Sequence, residues 1–129
     1  MAGLQLAGER PRHLLVVDDC SVIREMWKLA VEAWDLPLRL TTAVDGYQAI
    51  FKMAKDRPDL VITDIDMPNI DGRQLITIMS HDPDYARIPV IVISGGEMAG
   101  LSDFPSVLAC MTKPFRFENV RHYLEKIPG

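Results

Sequence analysis

Cysteine is scarce in this chain: Cys20 and Cys110 are all that 129 residues contain. Two thiols cannot staple a small disulfide framework, so the fold must rest on a packed core, and a reducing, cytoplasmic compartment is expected. Histidine is equally sparse, and His13, His81 and His122 stand at no metal-ligand spacing. No apolar run approaches the roughly 20 residues that a membrane-spanning helix requires. Residues 1–12 lack the charged start and long apolar segment of a secretory signal. Basic residues are in the minority, with a formal net charge of -4. Without a positive field to hold a polyanion, direct nucleic-acid binding is not expected. There is no internal repeat and no low-complexity tract. What remains is an ordinary globular composition, 48% hydrophobic and 25% charged, at a length that suits one domain.

Residues 1–11 carry small residues, Gln and Pro without a sustained apolar period and read as a flexible leader to a domain at 12–129. Residues 13–17 are a short apolar run that stops at Asp18-Asp19. Ser21 is then placed as an N-cap, with Val22, Met26, Leu29, Ala30 and Ala33 at helical spacing up to Trp34. Trp27 and Trp34, seven apart, share one helix face and suit core or groove packing. Pro37 closes that connection. Residues 38–42 alternate apolar and polar, as in an edge strand. Asp45-Gly46 turns the chain into a helix at 47–55. Residues 60–63 form a β-branched run suited to a strand buried on both faces, and it halts at Asp64 before Met67-Pro68-Asn69 and Asp71-Gly72. A helix is expected at 73–80, a buried strand at 88–93 ending in Ser94-Gly95-Gly96, a strand at 107–112 ending in Lys113-Pro114, and a last helix at 117–127. Between the last two strands, residues 97–105 hold Gly100 and Pro105 with little periodicity, so any helix there is short or frayed.

Alternating strands and helices predict an α/β fold: a flavodoxin-like, doubly wound, five-stranded parallel sheet in the order 2-1-3-4-5 with helices on both faces. In that order the first and third strands end side by side at the topological switch point. Asp18, Asp19 and Asp64 would then share a pocket, with Ser94 and Lys113 on its rim. Three such carboxylates repel, and a divalent cation removes the conflict; oxygen ligands favour Mg²⁺. A metal, a lysine and a hydroxyl converging on an aspartate are the parts of a phosphoryl-transfer site, with Asp64 as nucleophile and Ser94 and Lys113 holding the phosphoryl oxygens.

With these residues in view the chain resembles a response-regulator receiver domain of the chemotaxis type. The resemblance rests on Asp18-Asp19, on Asp64 with Met67-Pro68 and Asp71-Gly72, on Ser94, on Lys113-Pro114-Phe115, and on the run Thr42-Ala43-Val44-Asp45-Gly46. It covers about residues 12–127. It implies two-component signalling in which a histidine kinase or histidine phosphotransfer protein phosphorylates Asp64. Asp19 and Asp64 would bind Mg²⁺ directly, Asp18 through water, and the Asp66 backbone carbonyl would add a ligand. The resemblance further implies a cis Lys113-Pro114 peptide, a role for the Asp66 side chain in tuning hydrolysis of the aspartyl phosphate, and a downstream protein partner on the face of the fourth helix, fifth strand and fifth helix. Such a domain is a phosphoacceptor that assists its own phosphorylation and dephosphorylation, not an enzyme in the ordinary sense. With only Pro128-Gly129 after the last helix, output is expected through protein contact or phosphorelay, unless the chain belongs to a longer protein. The sequence departs from the family at Cys110, where a coupled aromatic is usual, and in the short span from Ser94 to Lys113.

Two other readings stay open from sequence. One is a receiver-like binding module that works without phosphorylation. The other is a haloacid-dehalogenase-type phosphohydrolase using Asp64-Ile65-Asp66, Ser94 and Lys113, for which Glu118 and Glu125 do not supply the further acidic motif required.

Overall fold

A strand covered on both faces has no polar side to present, and the three most apolar runs of this chain become the centre of its sheet. The computed structural model describes residues 11–126. Its elements are β1 (Arg12–Val17), α1 (Ser21–Trp34), β2 (Leu38–Ala43), α2 (Gly46–Lys55), β3 (Leu60–Thr63), α3 (Gly72–Ser80), β4 (Val90–Ser94), β5 (Val107–Thr112) and α4 (Phe117–Leu124). All strand pairs are parallel and the order is β2-β1-β3-β4-β5, as expected. Every residue of β3 and β4 is buried, whereas the edge strand β5 alternates.

One core lies under α1 and α4, where Trp27, Trp34, Val120 and Leu124 meet Leu14, Val16, Ile62, Ile91 and Ile93. The other lies under α2 and α3, where Ala49, Met53, Leu75, Ile76 and Met79 meet Leu15, Val17, Val61, Val90 and Val92. The register pairs Val17 with both Ala43 and Thr63, Thr63 with Val92, and Ser94 with Thr112. The residues that follow these positions therefore emerge along one edge, at the carboxyl ends of the strands.

Several boundaries differ from the sequence reading. The N-cap of α1 is Cys20 rather than Ser21 and makes no side-chain cap bond. The Cys20 amide instead donates to Asp18 Oδ1 (2.9 Å), so the first acidic strand end also satisfies the helix start. Helix α2 begins one residue earlier, at Gly46, capped by Asp45, and α3 is closed by a full Asp71/Gln74 capping box. Strand β4 starts at Val90 because residues 88 and 89 lead into it outside the ladder.

Between β4 and β5 the structure follows the reading of residues 97–105 as a stretch in which any helix is short or frayed. Among the described residues no α-helix forms there, only a single 3-10 turn at Leu101–Asp103. Gly100 sits at φ +82, where a helix cannot continue, while Leu101 is fully buried and Met98 and Phe104 pack onto the α2/α3 core. The fourth-helix part of the expected partner face is thus replaced by a loop, and among the described residues the last α-helix is the fourth. On β5, Leu108, Cys110 and Thr112 point outward; Cys110 is exposed, as is Cys20, and both are free thiols. His13 is a satisfied core residue, with Nε2 2.7 Å from Thr41 Oγ1 and Nδ1 3.3 Å from the Arg57 carbonyl. Among the described residues no helix is long and apolar enough to cross a membrane. Residues 1–10 of the expected leader and Ile127 of the expected last helix lie outside the described residues.

Candidate functional site

The acids are delivered by backbone pairing. The Asp18 amide donates to the Ala43 carbonyl (3.0 Å) and the Asp64 amide to the Val17 carbonyl (2.9 Å), which continues the ladders one step past the strand ends. Both carboxyls are buried there, while Asp19 is exposed. One carboxylate oxygen from each of Asp18, Asp19 and Asp64 lies within 4.8 Å of the others. The expected cluster is therefore formed.

Lys113 reaches it from the end of β5. Its amide donates to the Ser94 carbonyl (3.0 Å), and its peptide to Pro114 is cis, as the resemblance implies. The ammonium donates to Asp64 Oδ2 (2.8 Å) and to Asp18 Oδ2 (3.0 Å). Desolvation acts to lower the pKa of Lys113, but the hydrogen bonds and charges of Asp64 and Asp18 outweigh it and hold the group above its ordinary value. Asp64 Oδ1 accepts from the Ile65 amide (2.6 Å), and Asp18 Oδ1 from Cys20, so each buried carboxylate has both oxygens engaged.

Three carboxylates against one ammonium leave two formal negative charges uncompensated, with Asp19 facing solvent. All the donors are oxygens. That charge and donor set fits a hard divalent cation held by one or two carboxylates and water. Asp18, Asp19 and Asp64 are the residues that could hold it.

Ser94 is fully buried one strand over from Asp64, and its Oγ accepts from the Gly96 amide (3.1 Å). Asp66 has an exposed side chain that turns toward the same loop: a Cβ placed on Gly96 would sit 2.8 Å from Asp66 Oδ2. Gly72 is required by a closer approach, since a Cβ there would run into the Asp64 carbonyl oxygen. The Gly72 amide donates to the Ile65 carbonyl (2.9 Å), locking the start of α3 against the end of β3.

Around these groups are supports that sequence reasoning missed. Asn69, in the left-handed region at φ 65, donates to Asp45 Oδ2 (2.7 Å), while the Gln48 amide donates to Asp45 Oδ1 (2.7 Å). These bonds, Gln48 first and Asn69 second, hold the Asp45 carboxyl below its usual pKa. Arg24 donates to the Asp18 carbonyl (2.7 Å). Phe115 stacks on Trp27 (5.6 Å between centroids), and Phe117 meets the same ring edge-on at 4.7 Å. That cluster floors the loop carrying Lys113. Trp27 and Trp34 were legible as a shared face, but nothing local points to Phe115 as their partner. Arg73, which ties α3 to the loop after Ser94, had no sequence signal at all.

Among the described residues Glu118 and Glu125 are exposed on or beside α4 and take no part in the acid cluster. Glu118 and Glu125 thus do not supply the further acidic group that the phosphohydrolase alternative requires.

A model of the response regulator receiver domain family matches residues 14–125. TcrX of Mycobacterium tuberculosis, described as a probable transcriptional regulatory protein, is 32% identical over 129 residues, covering 91% of this chain and 50% of TcrX. The chain thus spans half the length of that relative. Among solved structures, a putative response regulator from Chloroflexus aurantiacus matches with a TM-score of 0.78 at 25% identity, covering 91% of this chain and 97% of the other. The receiver domain of sensor histidine kinase PA1611 from Pseudomonas aeruginosa, with a magnesium ion coordinated in its active site cleft, matches with a TM-score of 0.75 at 20% identity, covering 90% and 96%. At that identity the likeness carries the fold alone.

Proposed function

This chain belongs to the response-regulator receiver family, whose work is phosphorylation-mediated two-component signalling, and we propose that Asp64 is the group that takes the phosphoryl. The observation that carries this is the Lys113 ammonium shared between Asp64 and Asp18 with the Asp19 carboxylate within reach. Acids and lysine from three strand ends meet at the place where a doubly wound sheet binds ligands.

Asp64 attacks the phosphorus of a phosphohistidine presented by a histidine kinase or histidine phosphotransfer protein. A carboxylate oxygen bonds to phosphorus as the P–N bond breaks, and the imidazole leaves with the bonding pair. The Lys113 ammonium, already on Asp64 Oδ2, passes to a phosphoryl oxygen, and the Ser94 hydroxyl donates to another. Asp19 and Asp64, Asp18 through water, and the Asp66 carbonyl would hold Mg²⁺, which supplies charge neutralisation for the phosphoryl group. The domain is a phosphoacceptor rather than an enzyme in its own right. Its signal passes by phosphorylation-dependent protein contact or relay in the cytoplasm. The output face is the loop before β5, β5 itself and α4.

Incubation with acetyl phosphate and Mg²⁺ followed by intact mass should show one phosphoryl adduct, absent in Asp64→Asn. An adduct that survives Asp64→Asn would refute the assignment.

A further inference from the structure

A helix in the crossover from β4 to β5 would satisfy its own carbonyls. This chain has none there: turn bonds within the loop take the Met98, Gly100 and Leu101 carbonyls, and one side chain from another element takes those of Glu97 and Ala99. Arg73, on the first turn of α3, donates Nη1 to the Ala99 carbonyl (2.8 Å) and Nη2 to the Glu97 carbonyl (3.0 Å). Within the loop, Glu97 Oε1 accepts from the Ala99 amide (3.0 Å). Immediately before these residues stands Gly96, whose amide is on Ser94 Oγ. On its other side Arg73 follows Gly72, which is seated on the Asp64 carbonyl and bonded to Ile65. The Arg73 side chain therefore links the start of α3, which packs against the Asp64 and Ile65 backbone, to the loop three to five residues beyond Ser94.

A serine hydroxyl has three staggered positions and one hydrogen to give. When Oγ accepts from the Gly96 amide, its rotamer is set and its hydrogen stays free to donate elsewhere. A glycine pair with no helix around it cannot hold that amide still by itself, because each ordered loop residue costs conformational entropy. We propose that Arg73 is a positioning residue for Ser94: by clamping the Glu97 and Ala99 carbonyls to the start of α3, it keeps the Gly96 amide on Ser94 Oγ and so presents the hydroxyl hydrogen to the phosphoryl group on Asp64. The inference rests on Asp64 as phosphoacceptor and adds the residue that prepares its hydroxyl partner.

The test uses Arg73→Ala, Arg73→Lys, Ser94→Ala and the double variant Arg73→Ala/Ser94→Ala. Initial rates of adduct formation from acetyl phosphate and Mg²⁺ are read by intact mass, with amide hydrogen exchange at Gly96 and Ala99 alongside. Arg73→Ala should slow phosphorylation roughly three- to tenfold, a loss in keeping with one misplaced charge-assisted network. Both amides should exchange faster. Arg73→Lys should fall between, because an ammonium lacks the planar fork that reaches two carbonyls; it also serves as the measurable variant if the alanine form is unstable. Mg²⁺ affinity by calorimetry should be unchanged, since Arg73 touches none of the acids. In the Ser94→Ala background, adding Arg73→Ala should make no further difference. An Arg73→Ala protein phosphorylated at the wild-type rate overturns the proposal, as does the same fold-loss with and without Ser94. If the wild type itself takes no phosphoryl group, the Asp64 reading fails first, and that result is distinct from a defect confined to the Arg73 variants.

Discussion

Replacing Lys113 with methionine isolates the electrostatics of the acid pocket. The ammonium is a quarter exposed, but Asp18 and Asp64 are exposed by only 6% and 9%, so Lys113→Met leaves two nearly buried carboxylates without their cation. Two charges within 4.8 Å repel by about 3.5 kcal/mol at an effective dielectric of about 20. Breaking a buried pair costs about 3–5 kcal/mol, and the open side of this pocket reduces that to about 2–3 kcal/mol. Urea unfolding at neutral pH in EDTA should show that loss. The pKa of Lys113 lies above the ordinary 10.5, so its contribution is complete at neutral pH and disappears only as the pH rises through the folded-state value. The gap between wild type and variant should therefore persist through neutral pH and close in strong alkali. Magnesium should narrow it too. With the competing ammonium gone, the acids should bind Mg²⁺ about tenfold more tightly, so saturating metal returns about 1.4 kcal/mol more to the variant than to the wild type. Equal Mg²⁺ stabilisation of the two proteins, or no loss in EDTA, would refute the assignment of Lys113 as the pocket's resident counter-charge.

The other predictions concern the supports. Asp45→Ala removes the α2 cap and the Asn69 link and should cost about 1–2 kcal/mol by urea unfolding. Because the Asp45 carboxyl sits below its usual 3.8, that difference should hold above pH 3.8 and vanish as the pH falls through the folded-state value. Gly72→Ala drives a methyl into the Asp64 carbonyl and should cost about 2–3 kcal/mol in a thermal melt, with phosphorylation slowed because the β3–α3 junction must move. Trp27→Ala opens the aromatic floor under Phe115 and Phe117 and should cost about 3–5 kcal/mol by urea unfolding.

Most of the architecture was readable because its signals are local. Short apolar runs marked β1, β3 and β4, alternation marked the edge strand β2, and the Asp71-Gly72 and Asp45-Gly46 turns marked helix starts. Each candidate site residue except Asp19 and Asp66 stands within one residue of a strand's last position, so the strand order alone was enough to gather Asp18, Asp64, Ser94 and Lys113 along one edge. Only tertiary structure decided how they connect. Lys113 meets Asp18 across 95 positions and Asp64 across 49, contacts that no local pattern links, and its loop rests on the Trp27–Phe115–Phe117 cluster. The start of α1 differs from the sequence reading because the amide of its N-cap, Cys20, is satisfied by Asp18, just past the end of β1, and Ser21 supplies no side-chain cap. Arg73 left no trace in the sequence because its acceptors are backbone carbonyls, which every residue carries and no pattern marks. Periodicity reports which face of an element is buried; it carries no information about which distant backbone atom a polar side chain will find once the elements have packed.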